Sequence, residues 1–486
     1  MIMKKRILAS LLACIMTMLC LAACSSKKES TGNNESSTNS AGSNEFEAID
    51  AYIAELASEH NFDGSTFTVI GKGSDHCEFE EETGNLENDA LYRRMREIEE
   101  IFGVTYDYIV CTGENYASPS TEVASKMESD AMSGTGTYDT AECNVMMGGQ
   151  TMFSSGVLQP VEELPGLDLT HSWWLNDIEG QFGIGGHLYF LTGKIVTDHY
   201  SDASCLLFNK QIAEDFGIDG LYDIVASGEW TIDKMVEVSS VIPADGSYYR
   251  MSIGGYDEPL AYYFGGGFSI CEVDEEGNLS IPQALGTEKT DWIDKLASIF
   301  RDEKAYYFDG RNKETNDVFP DFADGNTFIF TDCMASVAGF RKKDVEFGVL
   351  PIPKRDVNQK DYISYSHAMA VSSYNVSKVV KDVEKVGVIL EAMAALSEKH
   401  LEPAYYDKAL KGRGTYDSES RDMLDLIYAA KKVDYAVTYQ WGDVWKLFSS
   451  AVSGVKEGYV GDYTSASRLA NLKIKQLMKQ IENDYK

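Results

Sequence analysis

Between residues 65 and 149 the chain alternates between strand-like and helix-like spacing of its apolar residues, and that alternation narrows the possible folds more than any other feature. "STFTVIGKG" is β-rich and ends in glycines, while "ENDALYRRMREIEEIFG" places Leu91, Met95, Ile98 and Phe102 at helical spacing with Gly103 as a C-terminal cap. "VTYDYIVC" reads as a second strand. "SPSTEVASKMESDAMSG" reads as a second helix, with Ser118 as N-cap and Pro119 at the first helical position, and "YDTAECNVMMGG" supplies a third strand. The order predicts an α/β lobe with a largely parallel sheet, whose ligand site belongs at the carboxyl ends of its strands. At 486 residues the chain exceeds what one hydrophobic core usually organises, so two lobes are expected.

The N-terminus carries a different kind of information. Lys4, Lys5 and Arg6 precede an apolar run from Ile7 to Leu19 that is too short to span a bilayer comfortably, the layout of a secretory signal. Leu21-Ala22-Ala23-Cys24 then resembles the lipobox of bacterial lipoproteins, which implies cleavage after residue 23 and a diacylglycerol on the Cys24 thiol. Residues 25–45 are almost all Ser, Thr, Asn, Gly, Lys and Glu, a composition that buries little apolar surface and behaves as a flexible tether. As a random coil it reaches about 25 Å. The expected location is the outer face of the cytoplasmic membrane, reached through a lipid.

A formal charge of −34 argues against nucleic acid as a partner and favours a domain that stands off anionic lipid. Once the signal and Cys24 are set aside, Cys77, Cys111, Cys143, Cys205, Cys271 and Cys333 are widely spaced with no C-x-x-C pair, so neither a zinc site nor a disulfide scaffold is indicated. Buried thiols are the expected state of most of them. No metal and no cofactor is expected. The acidic turn in "ICEVDEEGNLSI" lacks the regular ligand spacing of a calcium loop and reads as a solvated hairpin.

Further along, "QIAEDFGIDG" predicts a short helix ending near Gly217, and Thr231 caps another. "NTFIFTDCMASVAGF" reads as a buried strand running into a helix. "SKVVKDVEKVGVILEAMAALSEKH" puts Val379, Val383, Val386, Leu390 and Met393 on one core stripe, and residues 418–433 and 441–483 are two more helical stretches. The strings "GGHLYFLTGK", "LLFNKQIAEDFGI", "GEWTIDKM", "FADGNTFIFTDCMASV" and "FGVLPIPK", in this order behind a lipobox and a polar ribbon, resemble the extracellular solute-binding proteins of bacterial ABC importers, in the carbohydrate-binding class that includes maltose-binding protein. The resemblance implies an α/β, two-lobe periplasmic-binding-protein type II fold with a ligand cleft between lobes. It also implies crossings near residues 197–204 and just after Phe330. The lobes would comprise residues 46–200 with 335–390, and 203–332 with 391–486.

A sugar presents C–H faces and a rim of hydroxyls, so its site needs aromatic faces and planar polar groups. The chain is 11% aromatic, with 28 tyrosines and six tryptophans. In "GYDEPLAYYFGGG" the resemblance points to Tyr256, Glu258, Tyr262 and Tyr263, and in "YQWGDVW" to Trp441 and Trp445. "TDHYSDAS" brings Asp198 and Asp202 to the expected hinge, where they could accept sugar hydroxyl protons; charge in a crossing is also often simply solvated. "HSWW" offers Trp173 and Trp174, either to ligand or to seat their loop on the first lobe. Cys333 and Met334 stand where the family has a stacking tryptophan, so the sugar need not be a maltodextrin. Trp230 reads as structural, and Arg341, Lys342 and Lys343 as a solvated helix end.

The resulting expectation is a non-enzymatic, monomeric receptor that captures a carbohydrate, an oligosaccharide first of all, and delivers it to an ABC permease. A binding protein for peptides or another solute, and a surface glycoside hydrolase with a carboxylate pair, are the alternatives. The chain has no G-x-S-x-G, H-E-x-x-H or G-x-x-x-x-G-K-[ST] motif.

Overall fold

The computed structural model describes residues 39–75, 81–174, 183–254, 257–274, 277–308, 322–340, 345–410 and 418–484. Two compact units divide the chain, Met1–Ala48 and Ile49–Lys486. In the first, the described part is the opening of helix α1 (Asn39–Glu59), so the helix starts inside the segment whose composition suggests a tether. The signal region and Cys24 lie outside the described residues, as do Cys77, Tyr256 and the cluster Arg341, Lys342 and Lys343.

The second unit opens with the alternation expected from the sequence: β1 (Ser65–Gly71), α2 (Leu86–Phe102), β2 (Val104–Val110), α3 (Ser118–Ser133) and β3 (Thr140–Asn144). The Asn85 side chain accepts the first N–H groups of α2, and Gly103 ends the helix in the left-handed region at φ 62°. Helix α3 starts at Ser118 itself because Asn115 Oδ1, further upstream, takes the N–H groups of Ala117 and Ser118. The chain continues through β4 (Ser204–Asn209), β5 (Tyr249–Ile253), α4 (Pro259–Gly265), α5 (Thr287–Phe300), β6 (Tyr306–Phe308), β7 (Thr327–Cys333) and β8 (Phe347–Leu350). It then forms β9 (Ser364–Tyr365), β10 (Ser372–Asn375), α6 (Val383–Leu410), α7 (Ser418–Ala429), β11 (Lys431–Lys432), α8 (Val444–Val452) and α9 (Tyr459–Asp484).

One sheet has the order β10-β3-β1-β2, with β1 parallel to both β2 and β3 and β10 antiparallel at the edge. The other has the order β6-β5-β7-β4-β8, parallel on its β6-β5-β7 side and antiparallel through β4 and β8. Its core sets Cys205, Leu207, Phe330, Phe347 and Val349 against Leu424 and Ile427 of α7.

Two expectations about the lobes need correction. Strand β8 pairs with β4 (Phe347 opposite Asn209), because β7 covers only one edge of β4 and the other edge must be closed. The chain therefore stays with the second sheet beyond Leu350 and regains the first only at β10, well after Phe330. Helix α6 packs along α2 of the first lobe over residues placed at 391 and beyond: Lys399 Nζ and His400 Nε2 both reach Glu97, at 2.8 Å and 2.6 Å. Within α6, Val386, Leu390 and Met393 are buried as the stripe predicts, but Val383 is exposed and Val379 precedes the helix. The C-terminal stretch is two helices rather than one, separated around Gly454 and Gly458 at φ 74° and 64°. The cysteines Cys111, Cys143, Cys205, Cys271 and Cys333 are buried free thiols.

The α2–α6 contact generates a pH prediction. Hydrogen bonds from His400 first, then Lys399, hold the Glu97 carboxyl at about 2, against an ordinary value of 4.5. A depressed folded-state pKa stabilises the native form above about pH 4.5, and the gain is lost as pH falls towards about 2. Glu97 is only half-buried, so screening limits the effect to below about 1 kcal/mol. Urea unfolding of Glu97→Gln between pH 2 and 6 should show lower stability at the upper end and a flatter acid limb than the parent.

Candidate functional site

The carboxyl ends of β1, β2 and β3 converge on the segments that join the lobes. The first crossing, residues 197–203, is anchored to the first lobe by Asp75, whose Oδ1 accepts the Thr197 N–H at 2.9 Å and whose Oδ2 accepts the Tyr374 hydroxyl at 2.9 Å. Lys72, just past β1, reaches Asp198 Oδ2 at 2.6 Å, and Ser372 Oγ donates to the same oxygen. Burial alone would pull the Lys72 ammonium down, but Asp198 and Glu142 outweigh it and hold it above its ordinary value. Desolvation raises Glu142 to about 8, although Lys72 opposes the shift and the Tyr108 hydroxyl donates to it at 2.6 Å.

The second crossing lies beside the first. Ala203 and Ser366 form an antiparallel bridge, and the His367 N–H donates to Asp202 O at 2.8 Å. Lys431, on the strand paired with β9, closes the junction: its Nζ lies 2.5 Å from Asp202 Oδ1 and donates to His199 O at 2.8 Å. Both members of the pair are buried, and desolvation is the largest influence on each, raising Asp202 and lowering Lys431.

A second buried charge cluster meets His367 from the second lobe. Asp257 and Glu258 sit at the N-terminus of α4, beyond the carboxyl end of β5, and Asp332 lies on β7. His367 Nε2 is 2.7 Å from Glu258 Oε1 and 3.2 Å from Asp257 Oδ1. Desolvation would lower the imidazole, but the surrounding carboxylates raise it to about 10. Desolvation also lifts Asp257 to about 7 and Asp332 to about 6. Asp257, Glu258 and His367 form the one group among the described residues whose donor atoms are close enough to share a metal ion.

A cavity of about 520 Å³ opens between the lobes. One wall is Met146 and Met147, on the π-helical turn that follows β3, with Met369 from the second crossing. The other is Gln440, Trp445, Lys446, Ser449 and Ser450, on α8 and the turn before it. Helix α8 packs on α4 and α5 of the second lobe, so the walls belong to different lobes. Gln440 Nε2 donates to Met146 O at 2.9 Å across the gap. Gln440 and Asp443 both hold positive φ, 51° and 54°, an energetically costly backbone of the kind that gathers at functional sites. The Trp445 indole N–H is buried without a hydrogen-bond partner, and Lys446 Nζ lies 5.5 Å from the ring centroid. Tyr116, 61% exposed in the loop after β2, donates its hydroxyl to Met369 O at 2.8 Å.

The structure distributes the sequence-derived candidates unevenly. Trp445 lines the cavity. Asp202 and Glu258 are committed to buried charge clusters at the crossings, and Asp198 to Lys72. Tyr262 and Tyr263 are core: the Tyr262 hydroxyl bonds Thr331 at 2.5 Å, and Tyr263 meets Phe448 edge-on at 4.8 Å. Trp441 stacks on Tyr439 at 5.2 Å, and Tyr439 in turn packs against Phe153 and Phe190. Trp173 and Trp174 donate their indole N–H groups to the two oxygens of Glu391 on α6, which seats their loop on the first lobe. Trp230 is structural, its indole bonded to Pro351 O. The methionine wall, Gln440 and Tyr116 had escaped the sequence reading. Their only signal was position, since Tyr116 and the "VMMGG" turn follow strands at the carboxyl end of a parallel sheet.

No family model matches the chain, and no curated protein sequence does. Among solved structures, an ABC substrate-binding protein from Listeria monocytogenes in complex with cycloalternan is similar at a TM-score of 0.56 and 12% identity, covering 86% of this chain and 100% of the other. A cyclo/maltodextrin-binding protein complexed with maltotetraose gives 0.56 and 14%, covering 86% and 98%. UgpB from Mycobacterium tuberculosis in complex with glycerophosphocholine gives 0.56 and 13%, covering 86% and 99%. The chain has the two-lobe solute-binding fold of these proteins.

Glu391 offers a test of the seating role. Its carboxylate accepts from Trp173, Trp174, Tyr52, His171 and the Asp168 N–H. Glu391→Ala leaves two buried indole donors unsatisfied and should cost about 3 kcal/mol in urea unfolding, with a shift in tryptophan emission. Trp173→Phe should lose less than half of that.

Proposed function

We propose that the chain is a non-catalytic receptor that captures a carbohydrate, an oligosaccharide first of all, between its lobes and passes it to the permease of an ABC importer. The observation that carries the reading is the interlobe cavity, whose lining sets Trp445, two serines and a glutamine opposite an apolar methionine wall. An aromatic face with nearby planar and hydroxyl hydrogen-bonding groups is the chemistry a sugar ring requires. The bound glycans of two structurally similar proteins agree with it. The glycerophosphocholine of a third supports a second reading, a non-sugar solute held at the same place, for which the methionine wall is also suited.

The paired crossings provide the hinge. Closure would bring Met146 and Met147 towards Trp445, with the few residues of the crossings absorbing the dihedral change. Cys24 would carry a lipid and hold the receptor at the outer face of the membrane. No helix among the described residues is long and apolar enough to cross one.

Two measurements test this. A thermal-shift panel of linear and cyclic oligosaccharides, glycerophosphodiesters and peptides should give a rise with one glycan group, because a ligand at 100 times its Kd stabilises the native state by about 2.7 kcal/mol. Trp445→Ala should weaken that ligand at least about tenfold, and Trp445→Phe should restore part of it by keeping the ring. A response to glycerophosphodiesters or peptides alone would replace the carbohydrate reading. Separately, cells fed a labelled fatty acid should label the parent chain and not Cys24→Ser.

A further inference from the structure

Among the described residues, the junction of the lobes gathers more buried carboxylates than cations to face them. Asp257 is 1% exposed, Glu258 5% and His367 7%, and Asp332 lies close enough to share a hydrogen bond with Glu258. Three carboxylates therefore face one imidazole. Its Nε2 lies nearest Glu258 Oε1, at 2.7 Å, yet makes no hydrogen bond of good geometry. Asp332 is provided for by Ser336 Oγ and the Cys333 N–H. Glu258 Oε2 and both oxygens of Asp257 receive no hydrogen bond of good geometry. An unpaired buried carboxylate is costly, and folded proteins resolve the cost with a proton, a partner charge or a metal.

We propose that Asp257, Glu258 and His367 bind a divalent transition-metal cation, Zn2+ or Mn2+, which ties the second crossing to the second lobe. One nitrogen and two carboxylate oxygens lie within 4.8 Å of one another. Bonds of about 2.0–2.2 Å need donors roughly 3.3 Å apart, within reach of small side-chain adjustments. The imidazole in the donor set favours zinc over calcium or magnesium, which prefer oxygen alone, and the two carboxylates also suit manganese. Asp332 would act from outside, holding Glu258 in place as carboxylates commonly do around metal ligands. His367 comes from the crossing, whereas both acids belong to the second lobe, so the ion would brace a segment that also carries Met369 of the cavity wall. Asp257 and Glu258 are adjacent but His367 is far away in sequence, which is why no spacing motif announces the site.

The test uses the mature chain stripped with a chelator and reloaded with Zn2+, Mn2+, Ca2+ or Mg2+, with bound metal counted by mass spectrometry. One Zn2+ or Mn2+ per chain and a melting temperature several degrees above the stripped protein are expected. Asp257→Asn and His367→Gln should each weaken binding by about 100-fold or more, while His187→Gln, at the unrelated Glu162 contact, should not. Co2+ reloading should give visible absorption that both variants lose. Absence of a tight ion, preference for Ca2+ or Mg2+, or a stoichiometry unchanged in both variants would overturn the proposal. Asp257→Asn removes charge at constant shape, so the variant should fold. Metal content is read without any sugar, so this outcome is independent of the carbohydrate panel.

Discussion

The two lobes are held in register by a buried ion pair at their junction. Lys431 is fixed between Asp202 of the first crossing and the backbone carbonyl of His199, and its own strand pairs with β9, which leads into the second crossing. Three separate stretches of chain are thereby locked side by side, with the Ala203–Ser366 bridge beneath them. A buried pair of this kind adds little net stability, because the desolvation of both charges roughly offsets their attraction, yet losing one partner strands the other. Its contribution is placement. Met369 sits three residues beyond the bridge and Trp445 fourteen beyond Lys431, so both cavity walls inherit their positions from this junction.

The two sheets divide the work differently. The first is parallel through β2-β1-β3, and Lys72, Tyr116 and Met146 each follow one of these strands at its carboxyl end, while Ser372 and Tyr374 reach the junction from the edge strand β10. That part of the protein was legible in the sequence, because strand-helix alternation is a local signal and the carboxyl-end rule then places the site. The antiparallel closure of the second sheet by β8 was not legible. "FGVLPIPK" reads as a strand in isolation, but which edge it joins depends on β4 having one side open, and that is fixed by residues far away.

The same distinction explains the candidate residues. Aromatic side chains are common in both cores and sugar sites, and sequence cannot tell an indole facing a cavity from one facing Glu391. Trp445 and Trp174 are both buried tryptophans; they differ in that Glu391 satisfies Trp174 and nothing satisfies Trp445. Hydrogen-bond satisfaction, not burial, separates the two indoles, and it becomes visible only when residues 174 and 391 are seen together. The methionines of the opposite wall show the converse: a flexible apolar side chain has no chemical signature in sequence, although it adapts readily to whatever packs against it.

Charge balance around the crossings is uneven, and the unevenness has a direction. On the first-lobe side, Lys72 lies between Asp198 and Glu142, Arg94 approaches Asp75 and Lys431 answers Asp202, so several cations share the anions there. On the second-lobe side, Asp257, Glu258 and Asp332 share one cationic partner among the described residues, His367. The described cations thin out from the first flank to the second, where a single imidazole faces three carboxylates. Whatever supplies positive charge beside His367 therefore acts on the crossing that carries Met369. The position of one cavity wall would then depend on the occupancy of a charge site that the solute need never touch.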